Sequence, residues 1–319
     1  GGVAEYGITV RWDKNFLKLI RLLLERRGEF AMFGGVRFGG TLTLEDAWSM
    51  GFDHVAVCVG AGKPTVLEIP NGLARGVRAA SDFLMALQLT GAAKPDSIAN
   101  MQLRLPVVVI GGGLTAIDTA TESLAYYVVQ VEKFLLRYET LAAEIGEHAV
   151  RDTWDDQERE IGEEFLAHAR TIRAERAAAT GDGREPRLIE LLQGWGGVTI
   201  AYRRRLVDSP SYTLNHEEVE KALEEGIVFA EALSPLSVDV DNYGAVKGMR
   251  FAHASGEKWL PAHTVFVAAG TQPNTVLARE DAAHFRLDGK YFAACDEQGQ
   301  PVEPQHSTAK PETPQVLLG

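Results

Sequence analysis

The sequence predicts an α/β protein with a Rossmann-like unit of parallel strands and helices, and a helical insertion inside that unit. The first observation is an apolar run, Val107 to Ile110, that ends in the three glycines Gly111 to Gly113 and restarts as a helical pattern. The second is the alternation of further apolar, β-branched runs with helical patterns. The third is the late start of the next strand of the unit, at Val198, although a simple βαβ unit needs only about 30 residues.

The glycine-rich turn fits the Gly-x-Gly-x-x-Gly/Ala pattern of dinucleotide-binding units at Gly111, Gly113 and Ala116. Gly111 permits the tight turn, Gly113 lets backbone N–H groups approach a pyrophosphate, and Ala116 lets the helix lie close to the strand. The helix that starts at Leu114 and Thr115 presents its positive end to the phosphates. The alternative is an ordinary strand-to-helix turn without a ligand, but the flanking strand and helix favour the functional interpretation.

Composition and charge narrow the classes of function. The 319 residues suffice for about two domains, and the apolar fraction of 45% is typical of a globular protein. A formal net charge of −12 argues against a nucleic-acid-binding surface. No apolar run approaches the roughly 20 residues of a membrane span, and no signal-peptide pattern is present, so we expect a cytoplasmic protein. Cys58 and Cys295 lie too far apart in sequence to predict a disulfide framework, a redox pair or a metal site.

Before the glycine-rich turn, the patterns predict short elements. Asp13 is expected to cap a helix whose apolar stripe runs from Phe16 to Leu24, and Thr43 with Asp46 forms a capping box that begins a helix ending near Met50. Residues 30–38 and 53–62 are predicted strands, the second of them buried with Cys58 in the core. Ser81 is expected to cap a helix that ends at Leu89, and we place a domain boundary near residue 103.

After the turn, long helical patterns separate the predicted strands. One helix is expected from Leu114 to about Ile145, a second from Asp152 to Ala179 and a third from Pro186 to Leu192. We interpret residues 130–194 as a helical insertion whose two long helices pair with each other, and we expect its removal to leave dinucleotide binding intact. The remaining predictions are strands at 198–202 and 227–229, a buried strand that enters a turn over 264–274, a helix from Asn215 to Glu225, and a meander over 236–260.

Several separated motifs together resemble one known family. They are Gly1-Gly2 with Tyr6-Gly7-Ile8, Ala56 to Ala61, Val107 to Ala120, Ala201 to Arg204, Glu217 to Gly226 and Ala268 to Asn274. In this order they are similar to the small-subunit family of glutamate synthase, FAD-dependent NADPH oxidoreductases of the pyridine nucleotide-disulfide oxidoreductase superfamily. The resemblance covers nearly the whole chain outside the insertion. The family's FAD fingerprint and its carboxyl-terminal Gly-Asp segment are not matched, so we expect a fragment that lacks both FAD-binding ends.

The resemblance implies a fold of two dinucleotide-binding domains, with an NADPH domain inserted into an FAD domain. Residues 1–103 would be part of the FAD domain, residues 104–265 the NAD(P)H-binding domain with its helical insertion, and residues 266–319 an incomplete return to the FAD domain. The implied cofactors are NADP(H) and, in the complete protein, FAD. The implied partner is an electron-acceptor domain or subunit with iron–sulfur clusters.

Carried over residue by residue, the resemblance implies a set of cofactor-binding positions. Gly111, Gly112, Gly113, Leu114, Thr115 and Ala116 would meet the NADPH pyrophosphate, and Arg203 with Arg204 its 2′-phosphate. Gly60, Ala61, Gly270 and Thr271 match the two turns where the chain crosses between domains beside the flavin. Gly1, Gly2, Tyr6, Gly7 and Ile8 match the segment near the isoalloxazine. No catalytic side chain is expected, because the cofactors carry hydride transfer.

The three consecutive arginines at 203–205 decide the predicted cofactor. They follow the second strand of the nucleotide unit, where an acidic residue would select NAD and an arginine accommodates the extra phosphate of NADP. An ordinary solvated charge run is the alternative.

We therefore expect an NADPH-dependent flavoprotein oxidoreductase that passes a hydride from NADPH to FAD and electrons to its partner. A non-catalytic NADP(H)-binding scaffold, whose helical insertion binds a partner, is the other candidate.

Overall fold

The structure, a computed structural model, describes residues 16–214, 216–296 and 298–303. The helices are α1 (Phe16–Glu25), α2 (Leu44–Ser49), α3 (Ala80–Leu89), α4 (Leu114–Ile145), α5 (Glu147–Arg151), α6 (Asp156–Asp182), α7 (Leu188–Gly194), α8 (Pro210–Leu214), α9 (His216–Glu224) and α10 (Val276–Glu280). The strands are β1 (Lys63–Pro64), β2 (Val77–Ala79), β3 (Val107–Ile110), β4 (Val198–Ala201), β5 (Val228–Ala230), β6 (Ser234–Val240), β7 (Val246–His253), β8 (Gly256–Pro261), β9 (Thr264–Val267), β10 (Thr271–Gln272), β11 (Leu287–Asp288) and β12 (Tyr291–Phe292).

The described residues fall into two compact units. The first contains residues 64–270, and the second contains residues 16–63 together with 271–303. The domain boundaries at residues 103 and 265 remain predictions. Among the described residues, no helix is both long and apolar enough to cross a membrane.

A five-stranded parallel sheet forms the centre of the first unit, in the order β2-β9-β3-β4-β5. Strand β3 is buried along its whole length, because side chains on both of its faces meet apolar neighbours. Val107 and Val109 pack with the helices, whereas Val108 and Ile110 pack with the antiparallel sheet β6-β7-β8. The predicted Rossmann-like α/β class and the predicted meander are therefore confirmed.

Helix α4 extends over the full predicted length, from Leu114 to Ile145. Its middle turns carry buried polar side chains that bond the chain segment preceding β3. The amide of Gln130 accepts from the N–H of Leu103 and donates to its carbonyl oxygen, both at 2.8 Å. Lys133 Nζ donates to Ala92 O at 2.8 Å, and Tyr126 OH accepts from Met101 N–H at 3.0 Å. These bonds satisfy the buried groups and fix the approach to the central strand.

Helix α6 packs on α4, as the predicted pairing of the two long helices requires, and it also lies along the amino-terminal edge of the parallel sheet. Gln157 accepts from Arg75, just before β2, at 2.9 Å. Glu164 accepts from Arg104, just before β3, at 2.5 Å. The ring of His168 stacks on Trp195, just before β4, with centroids 3.8 Å apart. Phe165 and Ile172 belong to the same apolar core as Val107, so the insertion completes this edge.

The second unit bears out some predicted elements and not others. Its helix α2 begins with the predicted capping box, in which Thr43 Oγ1 accepts from Asp46 N–H at 3.1 Å and Asp46 Oδ2 accepts from Thr43 N–H at 2.9 Å. Helix α1 also forms, but four of its five leucines are exposed, and its predicted cap Asp13 lies outside the described residues.

The predicted strands at 30–38 and 53–62 are wrong. Within the described residues neither segment lies in a ladder with a neighbouring strand, and an unpaired apolar run cannot form a sheet. Cys58 is accordingly exposed rather than part of the core.

Two predicted helix caps also differ. Ser81 lies inside α3, because the extended residue Ala79 occupies the cap position and makes no side-chain bond there. Asn215 lies outside the described residues, and the helix after it runs from His216 to Glu224.

Candidate functional site

The candidate site lies where β3 ends, at the carboxyl edge of the parallel sheet. Gly111 N–H donates to Ala201 O of the neighbouring strand β4 at 3.1 Å, and Ala268 N–H donates to Ile110 O at 2.8 Å on the other side. A Cβ on Gly111 would lie 2.3 Å from the Ala268 carbonyl oxygen. Glycine is therefore required at position 111 for two reasons: the turn itself and the close approach of the segment that follows β9.

Gly113 precedes α4 as its cap and faces open space. A Cβ there would meet no atom within 4 Å, and its backbone, at φ −94 and ψ 175, is one that any residue adopts. Leu114 and Thr115 form the first helical positions, where N–H groups have no acceptor in the preceding turn of the helix. Ala116 is fully buried beneath them and packs into the core with Val109. This arrangement fits a pyrophosphate, since donors, a positive helix end and free volume coincide.

The middle glycine has a role that the sequence pattern does not specify. A Cβ on Gly112 would lie 2.4 Å from Cε2 of Tyr202, the residue that follows β4. The Gly112 carbonyl oxygen accepts two hydrogen bonds from Ser211, from its N–H at 3.1 Å and its hydroxyl at 3.0 Å. Sequence reasoning missed Ser211, although the Ser-Pro-Ser run that begins at Ser209, four positions after Arg205, is visible in the sequence.

The three arginines after β4 do not have equivalent surroundings. Arg205 forms a two-point ion pair with Asp208, Nε to Oδ2 at 2.9 Å and Nη2 to Oδ1 at 3.1 Å. These hydrogen bonds raise the pKa of Arg205 and lower the pKa of the Asp208 carboxyl. Arg203 and Arg204 are exposed, and among the described residues neither has an ion-pair partner. Two of the three cations are thus available to an anionic ligand.

The other predicted positions lie outside the turn between β3 and α4. Gly60 and Ala61 are exposed, and Gly60 O accepts from Asn274 N–H at 3.0 Å within the second unit. Gly270 O accepts from Thr65 N–H at 3.0 Å within the first unit, and Thr271 begins β10. Gly1, Gly2, Tyr6, Gly7 and Ile8 lie outside the described residues. A flavin-facing role for all these positions stays a prediction.

This chain is similar to a sequence family, to a known protein and to solved structures. The sequence profile of the family described as pyridine nucleotide-disulphide oxidoreductase matches residues 32–305. An uncharacterized protein of Rickettsia prowazekii (strain Madrid E) is 45% identical over 264 residues, which are 83% of this chain and 34% of that protein. The chain therefore spans about a third of the length of that protein.

Two solved structures are also similar. FprA of Mycobacterium tuberculosis in complex with NADPH is 17% identical, with 86% of this chain and 62% of that chain covered and a TM-score of 0.47. A ferredoxin reductase from Rhodopseudomonas palustris is 15% identical, with 72% of this chain and 37% of that chain covered and a TM-score of 0.36.

Proposed function

Because the chain belongs to the pyridine nucleotide-disulphide oxidoreductase family, we propose that it binds NADPH at the carboxyl edge of its central sheet. In the complete protein it would be the reductase part of a flavoprotein oxidoreductase of the glutamate synthase small-subunit type. When bound, the two cofactors would supply the hydride chemistry, and the residues of this chain would bind and orient the dinucleotide.

The observation that carries the proposal is the combination of the glycine turn with two exposed arginines that have no ion-pair partner among the described residues. Strands β3 and β4 are adjacent, with Ile110 paired to Ala201, so the turn at Gly111 and the arginines after Tyr202 lie at the same edge. Adjacent strands lie about 4.8 Å apart. A dinucleotide with its pyrophosphate in front of Gly113 would bring its adenosine end toward β4. Its 2′-phosphate would then meet Arg203 and Arg204, since Arg205 is already paired with Asp208.

Flavin binding is proposed for the longer protein rather than for these residues alone. In the part of the chain that the structure describes, the turn at Gly111 to Gly113 is the one glycine-rich turn that leads from a parallel strand into a helix. We assign it to NADPH, and FAD needs a phosphate-binding turn of its own. The electron acceptor is proposed to be an iron–sulfur domain or subunit, and the protein is proposed to be cytoplasmic.

Binding measurements on this chain test the first part of the proposal. We expect NADP⁺ to bind, in isothermal titration at low salt, with an affinity at least tenfold above that of NAD⁺. Equal affinity for both would contradict the NADP assignment, and binding of neither would contradict a dinucleotide site.

Spectroscopy on the longer protein tests the second part. We expect a purified flavoprotein whose visible flavin absorbance is bleached by NADPH under anaerobic conditions. A colourless protein that still binds NADPH would instead support the scaffold function.

A further inference from the structure

Ser211 is a buried residue that contacts the glycine turn from helix α8. It is 0% exposed, and both of its donors reach the carbonyl oxygen of Gly112, the N–H at 3.1 Å and the hydroxyl at 3.0 Å. The Ser211 hydroxyl also lies 3.0 Å from the hydroxyl of Ser209, itself buried. One backbone oxygen of the turn is thus held by two hydrogen bonds from a single residue.

The opposite side of Gly112 is closed by an aromatic ring. Three ring carbons of Tyr202 lie between 2.4 and 2.7 Å from the place where a Cβ on Gly112 would be. The ring leaves no room for a side chain at this position. Tyr202 and Ser211 together fix the peptide unit that joins Gly112 to Gly113.

The orientation of this peptide determines what it presents to a ligand. In a planar trans peptide the carbonyl and the N–H point in opposite directions. Because Gly112 O points to Ser211, the N–H of Gly113 points away from α8, and it has no acceptor among the described residues. A flipped peptide would instead turn its oxygen, with its partial negative charge, toward a bound phosphate.

We propose that Ser211 is a positioning residue for the dinucleotide pyrophosphate, acting by holding the Gly112–Gly113 peptide with its N–H toward the phosphates. This inference rests on the proposed NADPH site. It adds that affinity for the pyrophosphate depends on a hydroxyl that does not itself contact the ligand. Ser209 supports the same arrangement through its contact with Ser211.

The test compares two probes on Ser211→Ala in the full chain. NADP⁺ carries both the pyrophosphate and the 2′-phosphate, whereas adenosine 2′-monophosphate carries only the latter. We expect Ser211→Ala to weaken NADP⁺ binding by about threefold to tenfold, which is about 0.7 to 1.4 kcal/mol at 1.4 kcal/mol per decade. The affinity for adenosine 2′-monophosphate should stay within about twofold of the original value, because the Ser211 hydroxyl bonds Gly112 O and Ser209 and not the arginines.

Two further variants keep the measurement specific. Thr213→Ala is the matched control on α8, because the Thr213 hydroxyl bonds Ser209 O and Pro210 O and does not reach Gly112. It should leave both affinities unchanged. Ser211→Cys keeps an unbranched side chain of similar shape but replaces the hydroxyl with a thiol, which is a weak donor. It should therefore weaken NADP⁺ binding, as Ser211→Ala does.

The measured quantity is the ratio of the two affinities in each variant. A ratio for Ser211→Ala and Ser211→Cys equal to that of the unmodified chain would overturn the inference while leaving the NADPH site in place. A failure of the unmodified chain to bind NADP⁺ would instead overturn the proposed function itself.

Discussion

The guanidinium of Arg104 donates to a carboxylate oxygen of Glu164 at 2.5 Å, which links the residue before the central strand to the middle of α6. Both side chains are largely buried, 11% and 19% exposed, and Glu160 is a second, more exposed partner of Arg104 at 3.3 Å. Arg104 also bonds through its backbone, since its N–H donates to Thr264 Oγ1 at 3.0 Å. Strand β3, strand β9 and the helical insertion therefore meet at this one residue.

We expect Glu164→Ala to destabilise the protein. Removal of one member of a largely buried pair leaves the other charge poorly compensated, and because Glu160 remains near Arg104 we expect a loss of about 1 to 3 kcal/mol. The matched control is Glu139→Ala, which breaks an exposed pair with Arg173 and should cost at most about 1 kcal/mol. Urea unfolding of both variants measures the difference, and equal costs would show that the buried pair has no special role.

We expect the deletion of residues 130–194 to destabilise the protein more than Glu164→Ala does. The sequence alone predicts that dinucleotide binding survives this deletion, but α4 and α6 contribute buried side chains to the core that contains β3. We now expect the deleted protein to be unfolded or insoluble, with no cooperative unfolding transition by circular dichroism. A soluble deletion variant that binds NADP⁺ with unchanged affinity would restore the earlier expectation.

The sequence predicted those elements of the fold that depend on residues close together in the chain. The helix from Leu114 to Ile145 and the capping box at Thr43 follow from residues a few positions apart, and both were predicted. The contacts of α6 with Arg75 and Arg104 join residues far apart in sequence, and periodicity carries no information about them. The apolar run at 53–62 has strand composition, but strand formation depends on a neighbour that no local pattern specifies.

The candidate site divides in the same way. The motif identified the glycines because each has a local requirement, a turn or a helix start. Ser211 and Tyr202 could not be assigned from spacing, because they reach Gly112 from the segment after β4. The different roles of the three arginines were also hidden, since the pairing of Arg205 with Asp208 is a contact of side chains rather than a feature of composition.

Two adjacent glycines should respond to alanine in opposite ways. Gly112→Ala places a Cβ 2.4 Å from the ring of Tyr202, and we expect the resulting overpacking to cost about 1 to 3 kcal/mol of stability. Gly113→Ala meets no atom and needs no unusual backbone, so its stability should change by less than about 0.5 kcal/mol. Its methyl group would occupy the space assigned to the pyrophosphate, and NADP⁺ affinity should fall at least tenfold. Denaturation curves and titrations on both variants separate the effects, and unchanged NADP⁺ binding by Gly113→Ala would move the pyrophosphate elsewhere.

We expect two partly buried histidines to make stability depend on pH. Burial lowers the pKa of His168 and of His263 below their ordinary value of 6.5. In the folded protein, Nδ1 of the His168 ring lies 2.6 Å from Tyr127 OH. Because the pKa of each histidine is lower in the folded protein than in the unfolded chain, the unfolded chain binds more protons at a pH below about 6.5. The free energy of unfolding should thus be largest above about pH 6.5 and should decrease as the pH falls below this value. The slope should be at most about 1.4 kcal/mol per pH unit for each histidine.

Urea midpoints between pH 7.5 and 5 measure this dependence. His168→Gln can still accept from Tyr127 and cannot titrate, so its stability should decline less steeply with falling pH. The exposed His54→Gln serves as the control and should reproduce the original slope. Identical slopes for all three proteins would show that His168 does not contribute.

Cofactor choice should depend on two of the three arginines. A 2′-phosphate adds close to two negative charges, and each guanidinium that meets it forms charge-assisted hydrogen bonds of about 1.5 to 3 kcal/mol. Replacement of Arg203 and Arg204 by alanine should therefore weaken NADPH binding by roughly one to two orders of magnitude per arginine engaged, at about 1.4 kcal/mol per decade. NADH, which lacks this phosphate, should bind almost as before, and the original preference for NADPH should shrink as salt is raised because both arginines are exposed.

Arg205→Ala is the matched control for charge and position. Its guanidinium is paired with Asp208 at 2.9 Å, so it should change the affinity for NADPH by less than about threefold, well under one decade. Titration of both nucleotides against the double variant and this control measures the selectivity directly. If the double substitution weakens NADPH and NADH equally, the arginines act on the fold or on the pyrophosphate, and the NADP assignment fails. If Arg205→Ala has the larger effect, its pair with Asp208 opens on binding and the third arginine is the one that meets the 2′-phosphate.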